Sequence, residues 1–161
     1  MENLYLNLSE KRVVVAGAGV TGIPVARALQ ERGALVFLAD EKVDSVDGFG
    51  VKNPSEISPE EYDLLMISPG WRESHPFIAA TRTAGKPIIN EIDFAWHIKN
   101  SKFPDQKWIA VTGTNGKTTT VEVATHILTS AGKSARACGN VGTTVIETVM
   151  GNEKLDFLVL E

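Results

Sequence analysis

An apolar, β-branched run, Arg12–Ala16, leads directly into a turn that contains three glycines, Gly17–Gly22. Apolar residues at helical spacing follow this turn, and a second apolar run, Ala34–Ala39, begins just after Gly33. A strand, a glycine turn, a helix and a second strand in this order form a βαβ unit, in which the strands are parallel and the crossover is right-handed. The sequence therefore predicts an α/β fold that begins with a parallel sheet.

The same alternation continues along the chain. Buried strands are predicted at Tyr62–Ser68 and Pro87–Asn90, and helices at Pro76–Thr83 and Glu91–Lys99. The segment Asp44–Pro59 is rich in acids, glycine, proline and serine, and is predicted to be mainly loop with one short strand. These elements complete a first α/β domain, assigned to residues 1–100.

A polar stretch, Asn100–Gln106, is predicted to link this domain to a second one at residues 107–161. The pattern restarts after it. Strands are predicted at Trp108–Thr112, Ser134–Cys138 and Leu155–Leu160, and helices at Thr120–Ser130 and Thr143–Val149. A glycine-rich turn, Gly113–Thr119, joins the first strand to the first helix. About 55 residues are few for a nucleotide-binding domain. We therefore expect the chain to be a fragment that is cut within its second domain.

Composition excludes several classes of protein. Hydrophobic residues make up 43% and charged residues 22% of the chain, which is typical of a soluble globular protein. A formal net charge of −4 gives no general attraction to nucleic acid, and no apolar run approaches the roughly 18–20 residues that cross a bilayer. Met1–Ser9 lacks the features of a leader, and the single Cys138 cannot form an internal disulfide. We therefore expect a cytoplasmic protein without nucleic-acid or membrane partners, and with Cys138 buried as a small hydrophobe.

The most specific motif is the run Gly113-Thr114-Asn115-Gly116-Lys117-Thr118-Thr119, between a predicted strand and a predicted helix. Glycines allow backbone N–H groups to converge on phosphate oxygens, the lysine reaches the β- and γ-phosphates, and the hydroxyl that follows can bind Mg²⁺. The run departs from the general P-loop pattern because Val111 occupies the place of the first glycine. It predicts a nucleoside triphosphate site, and a chance glycine turn with an exposed lysine is the alternative.

The first glycine turn matches the G-x-G-x-x-G pattern of dinucleotide-binding folds through Gly17, Gly19 and Gly22. Asp40 follows at the distance where an acid can hydrogen-bond a ribose hydroxyl. The pattern indicates a diphosphate near a helix N-terminus, but it does not distinguish NAD from a UDP-sugar. A turn whose glycines serve only close packing of helix and strand also remains open.

Other residues carry weaker signals. Glu161 ends a predicted buried strand in the domain of the second glycine turn, where a Mg²⁺-binding carboxylate is expected, and a solvated glutamate is the alternative. The histidines lack a second ligand at zinc-site spacing, so no zinc site is predicted at His75, His97 and His126. The tryptophans are not interleaved with basic residues and are interpreted as core or interface residues: Trp71, Trp96 and Trp108.

Together, these features resemble the Mur ligases over essentially the whole chain. A glycine-turn domain of about 100 residues followed by a strand and Gly113–Thr119 is typical of that family, whose P-loop has this short form. Further matching segments are Ile67–Gly70, Glu91–Asp93, Gly139–Gly142 and Leu158–Glu161. The chain departs from the family at Trp71–Ser74, where a proline-containing segment is more usual, and in Asp44–Pro59.

The resemblance implies a fold and an activity. The fold is a Rossmann-like, parallel-sheet N-terminal domain that holds the UDP of the substrate, followed by the start of a P-loop ATPase α/β domain. The matching segments are most similar to the family members that join D-glutamate to UDP-N-acetylmuramoyl-L-alanine in peptidoglycan precursor synthesis. In this reaction a substrate carboxylate attacks the γ-phosphate of ATP, and the amine opens the resulting acyl phosphate. ATP and Mg²⁺ are thus the expected cofactors, the parent protein is expected to be monomeric, and the fragment alone is expected to be inactive.

The resemblance also implies roles for individual residues. Lys117 would be catalytic by neutralising the β- and γ-phosphates of ATP held by Gly113–Thr119, and Thr118 and Glu161 would bind Mg²⁺. The substrate would be contacted by Gly19, Val20, Thr21, Asp40, Ser68, Pro69, Gly70 and, at its muramoyl part, Asn140. The main alternative function is an NAD-binding oxidoreductase or sensor domain, which leaves the second glycine turn unexplained.

Overall fold

A computed structural model describes residues 8–161. The chain divides into two compact units, of which the first ends at Phe94 and the second runs from Ala95 to Glu161. The expectation that the chain has no leader falls mainly on residues 1–7, outside the described part. In the described residues, no helix has the length and apolar character needed to cross a membrane.

The first unit is built on a parallel sheet of five strands in the order β3-β2-β1-β4-β5. The strands are β1 (Arg12–Ala16), β2 (Leu35–Ala39), β3 (Val51–Lys52), β4 (Leu64–Ile67) and β5 (Ile88–Asn90). β1 is central, with β2 and β4 on its two sides in parallel register, and its last four residues are buried. The predicted α/β class with a parallel, Rossmann-like sheet is confirmed.

Three helices follow strands of this sheet: α1 (Gly22–Gln30), α2 (Pro76–Thr83) and α3 (Glu91–Lys102). Alternation along a strand sends neighbouring side chains to opposite faces. On one face, Val14 of β1 and Leu65 of β4 pack with Tyr62, and Phe77 and Ile78 of α2 cover them. This core fixes the carboxyl ends of β1, β2 and β4, where the chain turns into its loops.

The second unit contains a parallel sheet of three strands in the order β6-β8-β7. Its elements are β6 (Lys107–Ala110), α4 (Lys117–Ser130), β7 (Ala135–Cys138), α5 (Val145–Met150) and β8 (Phe157–Leu160). Leu158, Val159 and Leu160 of the central strand β8 are buried, as is Cys138, which agrees with the prediction for that cysteine. α5 begins with a capping box between Thr144 and Glu147.

Three helices differ from their predicted bounds: α5 begins at Val145 rather than Thr143 and ends at Met150 rather than Val149, and the differences at α3 and α4 are larger. α4 begins at Lys117 rather than Thr120, because Gly116 adopts the left-handed conformation and its carbonyl already accepts the N–H of Thr120. α3 continues into the predicted linker as far as Lys102, and the backbone N–H of Phe103 still donates to the carbonyl of Lys99. The division between the two units therefore falls within α3.

Two lysines bind the C-terminal end of α3 to the rest of the second unit. Lys102 Nζ donates hydrogen bonds to the carbonyl oxygens of Met150 (2.8 Å) and Gly151 (2.6 Å), at the C-terminus of α5. Lys99 is buried, and its Nζ donates to the carbonyl of Pro104 at 3.0 Å. A cation that binds the last carbonyls of a helix also complements the negative end of the helix dipole.

The apolar side chains of α4 are only partly covered. Val121 is fully buried, whereas Ile127 is 62% exposed. Val123 of α4 and Ile109 of β6 are also exposed. Both α4 and β6 thus carry large apolar side chains that are open to solvent.

Candidate functional site

The second glycine turn joins the end of β6 to the start of α4. Gly116 has φ of 75° and ψ of 4°, a left-handed conformation that places it as the N-cap of a 14-residue helix. The first N–H groups of a helix have no intrahelical acceptor, and the helix dipole adds positive potential there. Lys117, Thr118 and Thr119 form the first turn of α4, so these amide groups face the loop. The geometry is that of an anion-binding helix start.

Lys117 folds back over this turn. Its Cγ lies 3.9 Å from the point that a Cβ on Gly113 would occupy, and its side chain is half-buried. The stem of the lysine therefore runs beside the glycine turn, where a phosphate oxygen bound by the amide groups would lie within its reach. A flexible ammonium group with three donors suits this role.

Thr118 and Glu161, the two predicted metal ligands, lie in direct contact. The hydroxyl Oγ1 of Thr118 donates to Oε2 of Glu161 at 2.6 Å, across 43 residues of sequence. Glu161 follows directly on β8, and its backbone N–H donates to the carbonyl of Cys138. The parallel pairing of β7 with β8 thus carries the carboxylate to the start of α4.

Asn140 joins this pair from the loop after β7. Its side-chain Nδ2 donates to Oε1 of Glu161 at 3.4 Å. The close approach depends on Gly139, which has φ of 105° and leaves no space for a side chain, because an added Cβ would lie 2.7 Å from the carbonyl oxygen of Glu161. Asn140 was predicted to contact a substrate, and the structure places its amide group beside the two predicted metal ligands.

These donors fit a hard divalent cation. A threonine hydroxyl and a carboxylate are oxygen ligands, which Mg²⁺ prefers, and a Mg²⁺ in such a site keeps waters or phosphate oxygens in its other positions. Among residues 8–161, no group of three or more His, Cys, Asp or Glu side chains forms a complete protein cage for a metal. A cation held by Thr118 and Glu161 would therefore take waters or phosphate oxygens in its remaining positions.

The first glycine turn is closed by its own backbone. A Cβ on Gly22 would lie 1.8 Å from the carbonyl oxygen of Gly17, so only glycine fits there. Gly17 has φ of 107°, and its N–H donates to the carbonyl of Ala39. A Cβ on Gly19, by contrast, would meet nothing within 4 Å, and Val20 is 85% exposed. Gly19 and Val20 form the open part of the turn, and Thr21 is the N-cap of α1.

Asp40 braces this turn. Its Oδ2 accepts the N–H of Ala18 at 2.8 Å, and its Oδ1 accepts the N–H groups of Lys42 (2.8 Å) and Val43 (3.2 Å). Partial burial disfavours the charged carboxylate, but the three backbone donors outweigh it, so the pKa of Asp40 lies below its ordinary value. The acid predicted to contact a ribose thus has both oxygens engaged by the protein backbone.

The segment after β4 approaches the same turn. Ser68 Oγ is buried and has no hydrogen-bond partner in the described part of the chain, and a Cβ on Gly17 would lie 3.0 Å from it. Pro69 and Gly70 are exposed. A buried hydroxyl without a partner is costly, which makes Ser68 a candidate for contact with a ligand.

A cavity of about 520 Å³ opens beside these residues, entirely within the first unit. It is lined by Asp40, Glu41, Lys42, Gly70, Trp71, Arg72, Ser74, His75 and Pro76. Of these residues, only Asp40 and Gly70 were predicted from the sequence to contact a substrate. The departure of Trp71–Ser74 from the family pattern was the one signal in the sequence that pointed to this wall.

Comparisons with known proteins agree with the fold. No family model matches the chain. A curated relative from Streptomyces avermitilis is 37% identical over 96% of this chain, and one from Thermobifida fusca is 38% identical over 97%. A solved structure, a UDP-N-acetylmuramate:L-alanyl-gamma-D-glutamyl-meso-diaminopimelate ligase from Neisseria meningitides, covers 95% of the chain and 52% of that protein with a TM-score of 0.52 and 20% identity. The latter similarity concerns the fold alone.

These findings confirm the resemblance to the Mur ligases. Within that family, both curated relatives bear the name UDP-N-acetylmuramoylalanine–D-glutamate ligase. The chain spans about a third of their length, since the matches cover 35% and 36% of the two proteins. The chain is therefore similar to a part of these ligases.

Proposed function

We propose that the chain is part of a ligase that uses ATP to add D-glutamate to UDP-N-acetylmuramoyl-L-alanine in peptidoglycan precursor synthesis. Residues 1–100 would form the domain that binds the UDP-substrate, and residues 107–161 the first part of the ATP-binding domain. The observation that carries the proposal is the 2.6 Å contact of Thr118 with Glu161 at a lysine-containing glycine turn. The similarity to curated ligases over nearly the whole chain supports the choice of substrate.

In the second unit, the backbone N–H groups at the start of α4 would hold the phosphates of ATP at Gly113–Thr119. Lys117 would neutralise charge on the β- and γ-phosphates while the substrate carboxylate attacks the γ-phosphorus to give an acyl phosphate and ADP. Thr118 and Glu161 would hold Mg²⁺, which supplies further neutralisation of phosphate charge when bound. The amine of D-glutamate would then displace phosphate from the acyl group.

In the first unit, the open part of the glycine turn at Gly19–Thr21 would receive the diphosphate of the substrate. The unpartnered hydroxyl of Ser68 lies beside this turn and supports a substrate contact by the Ser68–Gly70 segment. Because the chain covers about a third of its relatives, we expect it to bind nucleotides without forming the amide bond. The whole protein is proposed to act in the cytoplasm as a monomer on these small molecules.

The substrate assignment is tested by isothermal titration calorimetry of the 161-residue chain with UDP-N-acetylmuramoyl-L-alanine and, separately, with NADH. We expect the muramoyl nucleotide to bind and NADH to give no heat of binding. Binding of NADH alone would replace the ligase proposal by that of an NAD-binding domain. Absence of binding for both would refute substrate recognition by this chain.

The ATP site is tested by Lys117→Met, which removes the ammonium group and keeps most of the side-chain volume. Loss of a charge-assisted phosphate contact should weaken binding of Mg²⁺–ATP by at least about tenfold. Lys133→Met is the matched control, because Lys133 is exposed just beyond the other end of α4. Equal ATP affinity of Lys117→Met and wild type would show that the turn is not a triphosphate site.

A further inference from the structure

The cavity in the first unit places an acidic residue other than Asp40 where a ligand can reach it. Glu41 lines the cavity directly after Asp40, and its side chain is 58% exposed. Asp40 already accepts three backbone N–H groups, and a carboxylate offers about four acceptor positions in all. The hydrogen-bond acceptor positions of Asp40 are thus largely occupied, whereas the carboxylate of Glu41 is available to a ligand.

Glu41 is held in place by His75. The Nδ1 atom of His75 accepts the N–H of Phe77 at 3.2 Å and so caps the N-terminus of α2. A nitrogen that accepts is unprotonated, so the neutral ring carries its hydrogen on Nε2, which lies 3.2 Å from Oε1 of Glu41. The hydrogen bond orients the carboxylate. In the described part of the chain, the second oxygen, Oε2, has no hydrogen-bond partner.

The other walls of the cavity match the rest of a nucleotide. Trp71 packs edge-on against His75, with ring centroids 4.6 Å apart, and presents an aromatic surface suited to a base. Lys42 and Arg72 are exposed on the wall and supply positive charge for a phosphate. A volume of about 520 Å³ is in the range of small-molecule sites.

Resting on the proposed function, we propose that Glu41, positioned by His75, binds the ribose diol of the UDP group, and that Trp71 forms the wall beside the base. Asp40 then serves to shape the glycine turn and does not recognise the sugar. The ribose hydroxyls donate to Oε2 of Glu41, while its Oε1 remains bonded to His75. The recognition acid of this chain is therefore one residue further along than the general pattern indicates.

The test compares UDP with 2′,3′-dideoxyuridine diphosphate, which lacks both ribose hydroxyls, by calorimetric titration of the 161-residue chain. Wild type should bind UDP about tenfold more tightly than the dideoxy compound, the size of one charged hydrogen bond. Glu41→Gln should lose most of this preference by weakening UDP binding alone. Glu73→Gln is the matched control, because Glu73 is an exposed acid of the Trp71–Ser74 segment that does not line the cavity.

A second variant separates positioning from helix capping. Asparagine is a good N-cap, but it is too short to reach Glu41, so His75→Asn should keep α2 intact and still reduce the preference for UDP. An unchanged preference in Glu41→Gln, or no preference in wild type, would overturn the role of Glu41. Absence of UDP binding to wild type would refute the proposed function itself, and the inference with it.

Discussion

The two glycine turns of this chain use glycine for opposite reasons. In the first turn, a Cβ on Gly22 would enter the carbonyl group of Gly17 at 1.8 Å, so glycine is required because backbone packs on backbone. In the second turn, a Cβ on Gly116 would meet nothing within 4 Å, and glycine is favoured by a φ of 75°. At Gly22 the first turn is closed by backbone contact, although it stays open at Gly19, whereas the second turn has free space beside Gly116.

The carboxylates beside the two turns differ in the same way. Asp40 accepts hydrogen bonds from backbone N–H groups and fixes the shape of the first turn. The carboxylate of Glu161 accepts hydrogen bonds from the side chains of Thr118 and Asn140. A cation bound to the carboxylate could take the place of these hydrogen bonds without disturbing the backbone. A glycine motif alone therefore does not reveal whether its neighbouring acid serves the fold or a ligand.

The largest expected effect is on stability of the first turn. Gly22→Ala should lower the free energy of unfolding of the first unit by about 3 kcal/mol, because the new methyl group collides with a carbonyl that cannot move independently. Hydrogen exchange of the β1 amide groups in increasing urea measures this loss. Gly19→Ala is the control and should change stability by less than about 0.5 kcal/mol, since nothing lies within 4 Å of its Cβ. Equal values for the two variants would contradict the packed first turn.

An intermediate effect is expected at the acid that braces this turn. Asp40→Ala should lower the free energy of unfolding of the first unit by about 2 kcal/mol, because three backbone N–H groups lose a charged acceptor. The pKa of Asp40 is lowered, so its contribution is complete above the ordinary value of 3.8 and is lost as the pH falls through the lowered value. Urea titrations should therefore give a constant difference from wild type between about pH 5 and pH 8 that shrinks below about pH 4. A constant difference down to about pH 2 would show that ionisation of Asp40 is irrelevant, and exposed Asp44→Ala serves as control.

The smallest effect is expected in the second turn. Gly116→Ala should lower the free energy of unfolding of the second unit by only about 1 kcal/mol, because the penalty comes from the left-handed backbone and not from a collision. Gly116→Asn should cost less still, since asparagine tolerates this conformation. Hydrogen exchange of the β8 amide groups provides the measurement. A loss as large as that of Gly22→Ala would mean that the second turn is as tightly packed as the first.

The order of strands and helices was predictable because each buried strand is a short apolar run bounded by polar or glycine residues. β1 and α2 have the predicted bounds, Arg12–Ala16 and Pro76–Thr83. Burial was less predictable, since it depends on neighbours distant in sequence. Leu35 is 61% exposed because the short β3 pairs only with the far end of β2, at Leu38 and Ala39.

The candidate site was predictable where its residues follow one another in the sequence, as in the run from Gly113 to Thr119. The pairing of Thr118 with Glu161 was expected mainly through the resemblance to a family, because the strand order that joins them cannot be deduced from spacing. The engagement of Asp40 by backbone groups and the contact of Glu41 with His75 were not predicted. The bond from Ala18 to Asp40 and the contact of His75 with Glu41 join residues far apart in sequence, and the bonds from Lys42 and Val43 depend on the local conformation of a loop.

The two hydrogen bonds from Lys102 to the end of α5 have a practical consequence for dividing the chain. The polar stretch after Asn100 is the natural place to cut by sequence, and a protein started at Lys107 would still contain every strand of the second sheet. Such a protein would lack the cation on the last carbonyls of α5, together with the buried Lys99. A start upstream of Ala95 retains both lysines and is therefore the better choice for isolating the second unit.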